Sequence, residues 1–143
     1  MGFDINLSRG KGKNGMWIEG AYFKHCKEMA CFSGEGQPDA HLIIFDGSCD
    51  WGFEPPIKCI EVIPETVGRC TGIADMNSKY IFCGDIVKEN CSGLIGVVEF
   101  DEATATFRLK GKDGFFGDNC RIENASMEWV IIGNIHDNPE LLK

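Results

Sequence analysis

The sequence has 143 residues, of which 43% are hydrophobic and 25% charged, a composition typical of one folded globular domain or two very small ones. Its formal net charge of −8 disfavours nucleic-acid binding, because an acidic chain repels a phosphate backbone, but a local arginine cluster can still hold a small anion. No stretch approaches the ~18 apolar residues of a membrane span, and no apolar segment of a secretory signal follows the first basic residues.

The eight cysteines favour neither a disulfide framework nor a metal site. Without a visible secretory signal, we expect reduced thiols that serve as small core or turn residues. No Cys-x-x-Cys pair occurs, and the cluster of His25, Cys26, Cys31 and His41 is poorly spaced for tetrahedral zinc. The sequence therefore predicts no metal and no cofactor.

The first half of the chain predicts short strands separated by turns. Gly15–His25 carries Trp, Ile, Tyr and Phe and predicts one or two strands, and His41–Ser48 predicts a buried strand. Residues 24–58 form a cysteine-rich insert. A further strand is predicted over residues 57–63, where the flanking prolines exclude a helix.

The second half predicts a strand at Lys79–Cys83, a β-hairpin around a turn at Asp101–Ala103, and a last strand at Glu128–Ile135. Asn138 then suits a helix N-cap and Pro139 the first helical position, so the chain is predicted to finish with one helical turn.

These elements predict a mainly-β fold of short-stranded sheets, since helical periodicity is almost absent. Residues 1–75 are predicted to form a β-rich N-terminal region, and residues 76–143 an SH3-like barrel, packed together as one compact unit.

The stretch "YIFCGDIV" is interpreted as a corner of that barrel. Ile81 and Val87 would point inward, Gly84 would allow a sharp turn, and Asp85 would accept hydrogen bonds from turn amides.

Several segments resemble the YopX family of bacteriophage and prophage proteins: "RGKGKNGMWIEGAY", "IPETVGRCTGIADMNSKYIFCGDIV", "GVVEFDE" and "IIGNIHDNPELL". The resemblance covers nearly the whole chain apart from its middle, residues 24–58, and Asn77-Ser78 stands where the family tends to have Asn-Gly. It implies a phage origin, a cytoplasmic setting in the infected bacterium, a C-terminal SH3-like barrel and symmetric homo-oligomers. It does not imply a known enzymatic activity, because the family is chiefly one of unassigned function.

The sequence motifs also favour a non-enzymatic function, because the chain contains no nucleophile elbow, no zinc-protease motif and no phosphate-binding loop. The first hypothesis is a sponge that sequesters a nucleotide-derived immune signal, such as a cyclic ADP-ribose or a cyclic oligonucleotide, in pockets at subunit interfaces. Aromatic rings would stack on the base, scarce arginines would hold the pyrophosphate, and an amide would bond a ribose or base edge. These residues are Trp17, Phe82, Arg69, Arg108, Arg121 and Asn90.

Two alternatives stay open. The acidic barrel could be a protein–protein module that docks on a host factor, and a nucleic-acid-binding barrel is the least favoured because of the net charge of −8. For each arginine taken alone, an ion pair with a surface carboxylate is the simpler interpretation.

Overall fold

The computed structural model describes residues 7–25, 39–46, 57–111, 114–115 and 128–143. Strands dominate these ranges and pair in antiparallel sheets, which confirms the mainly-β prediction. The strands are β1 Leu7–Lys11, β2 Trp17–His25, β3 Ala40–Asp46, β4 Ile57–Glu61, β5 Gly68–Ala74, β6 Tyr80–Phe82, β7 Asp85–Glu89, β8 Ile95–Asp101, β9 Thr106–Gly111, β10 Gly114–Phe115 and β11 Trp129–Asn134.

The backbone forms two compact units, which divide the chain between Arg69 and Cys70. The sequence analysis placed a boundary slightly later, near Asp75. Within the described ranges, no helix is long and apolar enough to cross a membrane.

The N-terminal unit is an antiparallel sheet with the order β4-β3-β2-β1, and the first residues of β5 pair with the other edge of β1. Ile43 and Val62 are its most deeply buried apolar side chains among the described residues. Strand β1 was not predicted, because its sequence, LSRGK, has a single apolar residue and so lacks the apolar alternation of a strand. Gly10 is required there, since a Cβ atom would lie only 2.9 Å from a Val62 methyl carbon.

The C-terminal unit contains the β5–β6 hairpin and a five-stranded antiparallel sheet with the order β10-β9-β8-β7-β11. One face of this sheet packs into the main apolar core of the unit. The core cluster comprises Ile81, Val87, Val98, Leu109 and Trp129, all at most 2% exposed.

The corner predicted at "YIFCGDIV" is confirmed in its local structure. Ile81 and Val87 are buried in the same cluster, and Gly84 has a φ of +93°, a conformation that glycine adopts at little cost. Asp85 is 1% exposed, and its Oδ2 accepts a 2.8 Å hydrogen bond from the Phe82 amide. The stretch is therefore a tight connection between β6 and β7.

A buried carboxylate fastens the β5–β6 hairpin to β11. Asp75 is 3% exposed, and its Oδ1 accepts hydrogen bonds from the amides of Asn77 and Lys79, each at 2.9 Å. Its Oδ2 accepts a third bond, 3.1 Å long, from the amide of Ile131. Asp75 thus holds the turn before β6 and also joins segments 56 positions apart.

The predicted C-terminal helical turn is present as a short 3-10 helix at Pro139–Leu142. Its N-cap differs from the prediction, because the side chain of Asn138 makes no capping hydrogen bond and the Asn138 carbonyl instead accepts from the Leu141 amide. The strand pairings of the described residues form open sheets and show no closed barrel.

Candidate functional site

A cavity of about 490 Å³ opens in the N-terminal unit beside β1, β2 and the start of β5. Its described lining residues are Ser8, Ala21, Tyr22, Val67 and Arg69. Cavities of roughly 300–1,000 Å³ with a few polar groups in an apolar wall are typical of small-molecule sites. The volume is therefore sufficient for a ligand of nucleotide size.

Strand register brings the two polar groups of this cavity together. Ser8 on β1 is the direct cross-strand partner of Arg69 on β5, so the two side chains project to the same side of the sheet. Neighbours in sequence project to opposite sides, which is why Arg9 shares a face with Gly68 instead.

Both polar groups are available to a ligand. Ser8 is only 8% exposed, yet within the described part of the chain its hydroxyl has no hydrogen-bond partner. The exposed Arg69 likewise forms no ion pair with any described residue. The Ser8 hydroxyl lines the cavity without itself being a buried unsatisfied group, so it can bond to a ligand oxygen there.

An aromatic side chain completes the cavity wall. Tyr22 is 38% exposed, and its ring stacks on that of His41 with centroids 6.0 Å apart and planes inclined by 14°. The Tyr22 hydroxyl also lies 2.6 Å from Nδ1 of His41, which fixes the position of the phenol. Tyr22 thus presents a positioned aromatic surface in the same cavity as the Arg69 guanidinium.

Trp17, the first aromatic residue predicted for the site, lies elsewhere in the same unit. Its cross-strand partner is Lys11, whereas Ser8 and Arg69 occupy the alternate positions that face the other side of the sheet. The Arg9 guanidinium carbon lies 4.9 Å from the centroid of the Trp17 ring, a cation–π contact supplied by the protein itself. Trp17 and Arg69 are therefore not brought together on one face.

Phe82 and Asn90 belong to the C-terminal unit. Phe82 is 3% exposed, so in this structure its ring has no open face for a base, and the stacking role predicted for it has no support here. Asn90 is exposed in the turn after β7, where its backbone amide donates a 2.8 Å hydrogen bond to the carbonyl of Glu128. The side chain of Asn90 is accessible and lines neither described cavity.

Arg108 is held by a carboxylate of its own hairpin. Its Nη1 atom lies 2.9 Å from Oδ2 of Asp101, with the two side chains 21% and 11% exposed. The hydrogen bond from Arg108, assisted by one from the Thr104 hydroxyl, lowers the pKa of Asp101 below its ordinary value. Arg108 therefore matches the ion-pair alternative, and Arg121 lies outside the described residues.

Metal and disulfide chemistry find no support in the described ranges. No group of three or more His, Cys, Asp or Glu side chains there could hold a metal ion. Cys59, Cys70, Cys83 and Cys91 are free thiols. Two members of the weighed zinc cluster, Cys26 and Cys31, lie outside the described residues.

Comparison with protein families identifies the chain. The model of the YopX protein family matches residues 16–143, which is most of the sequence. The chain belongs to the YopX family. The match includes the predicted site residues together with Tyr22, while Ser8 lies before it. No curated protein matches this YopX-family chain.

Two cavity residues of this YopX-family protein were missed by the sequence analysis. Tyr22 lies in the predicted strand Gly15–His25, but from that strand only Trp17 was named as a stacking residue. Ser8 carried no signal at all, because its importance depends on the register that places it opposite Arg69.

Proposed function

We propose that this YopX-family protein is a phage-encoded, non-enzymatic binding protein that sequesters a nucleotide-derived immune signal of its host. The ligand class is a phosphorylated nucleoside such as a cyclic ADP-ribose or a cyclic oligonucleotide. The observation that supports it best is the cavity in which the Arg69 guanidinium, which has no ion pair with a described residue, and the Ser8 hydroxyl stand on one side of the sheet.

The residue types of the cavity suit the two ends of such a ligand. Arginine binds phosphate through two parallel hydrogen bonds, and the Ser8 hydroxyl beside Arg69 can donate to the same group. Tyr22 offers an aromatic surface on which a base can stack, while Ala21 and Val67 provide the apolar remainder of the wall. The proposed ligand-binding residues are therefore Ser8, Tyr22 and Arg69. Arg108 is left out of this set, because it is paired with Asp101.

The negative net charge of the chain is compatible with a site that binds one small anion, but not with a surface that attracts anions in general. With a net charge of −8, the protein repels long phosphate backbones, whereas one arginine at a cavity acts over a short range. A small phosphorylated molecule is thus favoured over DNA or RNA.

The proposal also includes the finer features implied by the family. These are closure of the C-terminal unit as an SH3-like barrel, assembly into a symmetric homo-oligomer, and action in the cytoplasm of the infected bacterium. Amide NOEs that join β10 or β11 to the β5–β6 hairpin would establish closure of the barrel, and native mass spectrometry would give the number of subunits.

The first experiment is native mass spectrometry of the protein purified from bacteria, followed by denaturation and identification of any released small molecule. We expect an oligomer that releases a nucleotide. Calorimetry on ligand-free protein then measures binding of ADP-ribose, cyclic ADP-ribose, cyclic di-AMP and inorganic pyrophosphate.

Variants of the cavity make the calorimetry specific. Arg69→Gln removes the charge-assisted bonds and is expected to weaken nucleotide binding roughly ten- to hundredfold, and Ser8→Ala about two- to tenfold. Lys58→Gln, which removes one positive charge from an exposed position on β4, is the matched control and should bind like the parent protein. The proposal fails if none of the nucleotides binds, or if the Lys58 and Arg69 variants lose affinity equally.

The alternative, an acidic module that binds a host protein, predicts a different result. Ligand-free protein would then bind none of the nucleotides, and a tagged protein would retain one host factor in a pull-down in which Arg69→Gln has no effect.

A further inference from the structure

The C-terminal unit has a second cavity that no part of the proposed nucleotide site uses. Val97 pairs with Lys110 and Glu99 with Arg108 across β8 and β9, so these side chains lie on the face opposite the core pair Val98 and Leu109. This cavity has a volume of about 330 Å³. It is lined by Ile95, Val97, Glu99, Lys110, Gly111, Leu141, Leu142 and Lys143.

The wall of this cavity is apolar at its centre. Ile95 and Val97 contribute from the sheet, and Leu141 and Leu142 contribute from the C-terminal 3-10 helix. Both leucines are only partly buried, as they would be if part of their surface were left for a ligand. An alkyl chain or a small ring would bury the remaining apolar surface of these residues.

Basic side chains outnumber acidic ones among the described residues that line the cavity. Lys110 and Lys143 bring two ammonium groups, and Glu99 brings the single side-chain carboxylate among the described lining residues. The Lys110 Nζ atom lies 3.5 Å from Glu99 Oε2, and the two side chains are 47% and 40% exposed. An ion pair this exposed contributes little stability, so Lys110 can transfer its interaction to a ligand carboxylate at small cost.

The size of the cavity limits the ligand. At roughly 30 Å³ per water molecule in the liquid, 330 Å³ corresponds to about eleven water-sized groups, close to the ten non-hydrogen atoms of octanoic acid. The volume is at the lower end of the range for small-molecule sites, so a lipid with two acyl chains is excluded.

We propose that this cavity binds a small apolar carboxylate, with octanoate representing the class. The alkyl chain would lie among Ile95, Leu141 and Leu142, and the carboxylate would replace Glu99 as the partner of Lys110. This site is separate from the Arg69 cavity, and neither proposal depends on the other.

Methyl NMR titrations of the full chain test the proposal with three probes of equal length: octanoate, octanol and octylammonium. We expect octanoate to shift the methyl signals of Leu141, Leu142 and Ile95 and to bind more tightly than octanol, with octylammonium the weakest. Equal affinity for the three probes, or no shift at these methyl groups, would overturn the proposal.

Two neutralising variants give opposite expected signs. Lys110→Gln should weaken octanoate binding by up to about fivefold, while Glu99→Gln should strengthen it by up to about fivefold, because it removes the competing carboxylate. If the Lys110–Glu99 pair only stabilised the structure around the cavity, both variants would change octanoate affinity in the same direction. That result would refute the role of Lys110 as the partner of the ligand carboxylate. Octanol binding should respond to neither variant.

The apolar wall is tested with Leu142→Ser, which is expected to reduce octanoate affinity roughly tenfold. Ile57→Ser, at a position 69% exposed on β4, is the control and should leave the affinity unchanged. Unchanged binding by Leu142→Ser, with its fold verified by the amide spectrum, would exclude this cavity as the site.

Discussion

Two arginines of this protein, one in each unit, stand in opposite environments. In the C-terminal unit, Arg108 is paired at 2.9 Å with Asp101, a carboxylate seven positions away on the same hairpin. In the N-terminal unit, Arg69 forms no ion pair with the described residues and lines a cavity next to Ser8. An arginine whose bonds are already made stabilises a fold, whereas one left open at a cavity can bind a ligand.

Three of the aromatic residues can be compared in the same way. Phe82 and Trp129 are nearly fully buried in the C-terminal unit, while Tyr22 in the N-terminal unit is held by His41 and remains 38% exposed at a cavity. Substitutions that change the stability of one unit, and leave the other unit unchanged, test this difference between the two units.

The largest effect is expected for the core of the C-terminal unit. Leu109→Ala should lower the free energy of unfolding by about 3–5 kcal/mol, because the side chain is 1% exposed and its removal leaves a cavity. Urea denaturation followed by tryptophan fluorescence measures the change. Ile95→Ala, at a position 36% exposed on β8, is the control and should cost far less. Equal losses would contradict the assignment of the core to the Leu109 face.

A loss of roughly 3 kcal/mol is expected for Asp75→Ala, since three backbone amides would lose their acceptor. Hydrogen exchange should then show faster exchange at Ile131 as well as in the turn at Asn77 and Lys79. If protection were lost only in the turn, the link to β11 would be wrong.

In the N-terminal unit, Gly20→Ala should cost roughly 1–3 kcal/mol, because the added Cβ would overlap the carbonyl oxygen of Ile44 on the neighbouring strand. Gly15→Ala provides the comparison. Its Cβ would meet nothing within 4 Å, and only the φ of +84° resists the substitution, at about 1 kcal/mol. The melting temperatures of the two variants rank their stabilities. A lower melting temperature for Gly15→Ala than for Gly20→Ala would contradict the close approach of β2 and β3.

The smallest effect concerns pH and the Arg108 ion pair. The hydrogen bond from Arg108 lowers the pKa of Asp101, so the stability it contributes is present above the ordinary aspartate pKa of about 3.9 and is lost as the pH falls through the lower folded value. Asp101→Asn and Arg108→Gln should both flatten the acid dependence of the urea midpoint between pH 6 and pH 3. Arg69→Gln should keep the parent's acid dependence, and a flattened profile for it would contradict its unpaired state.

Local patterns were sufficient for most of the strands. The run His41–Ser48 and the hairpin around Asp101–Ala103 were predictable because apolar alternation and turn residues act over a few positions. Strand β1 was not, because its inward positions are taken by Ser8 and Gly10 rather than by apolar residues, and Gly10 packs against Val62 more than fifty positions later. The site was predicted only in part: Arg69 was chosen for its chemistry, whereas Ser8 depended on register.

The sequence by itself determined the mainly-β class, the YopX resemblance and the tight corner at Gly84 and Asp85, since each depends on residues close together in the chain. Only the tertiary structure decided which arginine is paired and which is open. The carboxylate that pairs with Arg108 lies seven positions away, whereas the residue that strand pairing sets opposite Arg69, sixty-one positions away, is a serine and carries no charge.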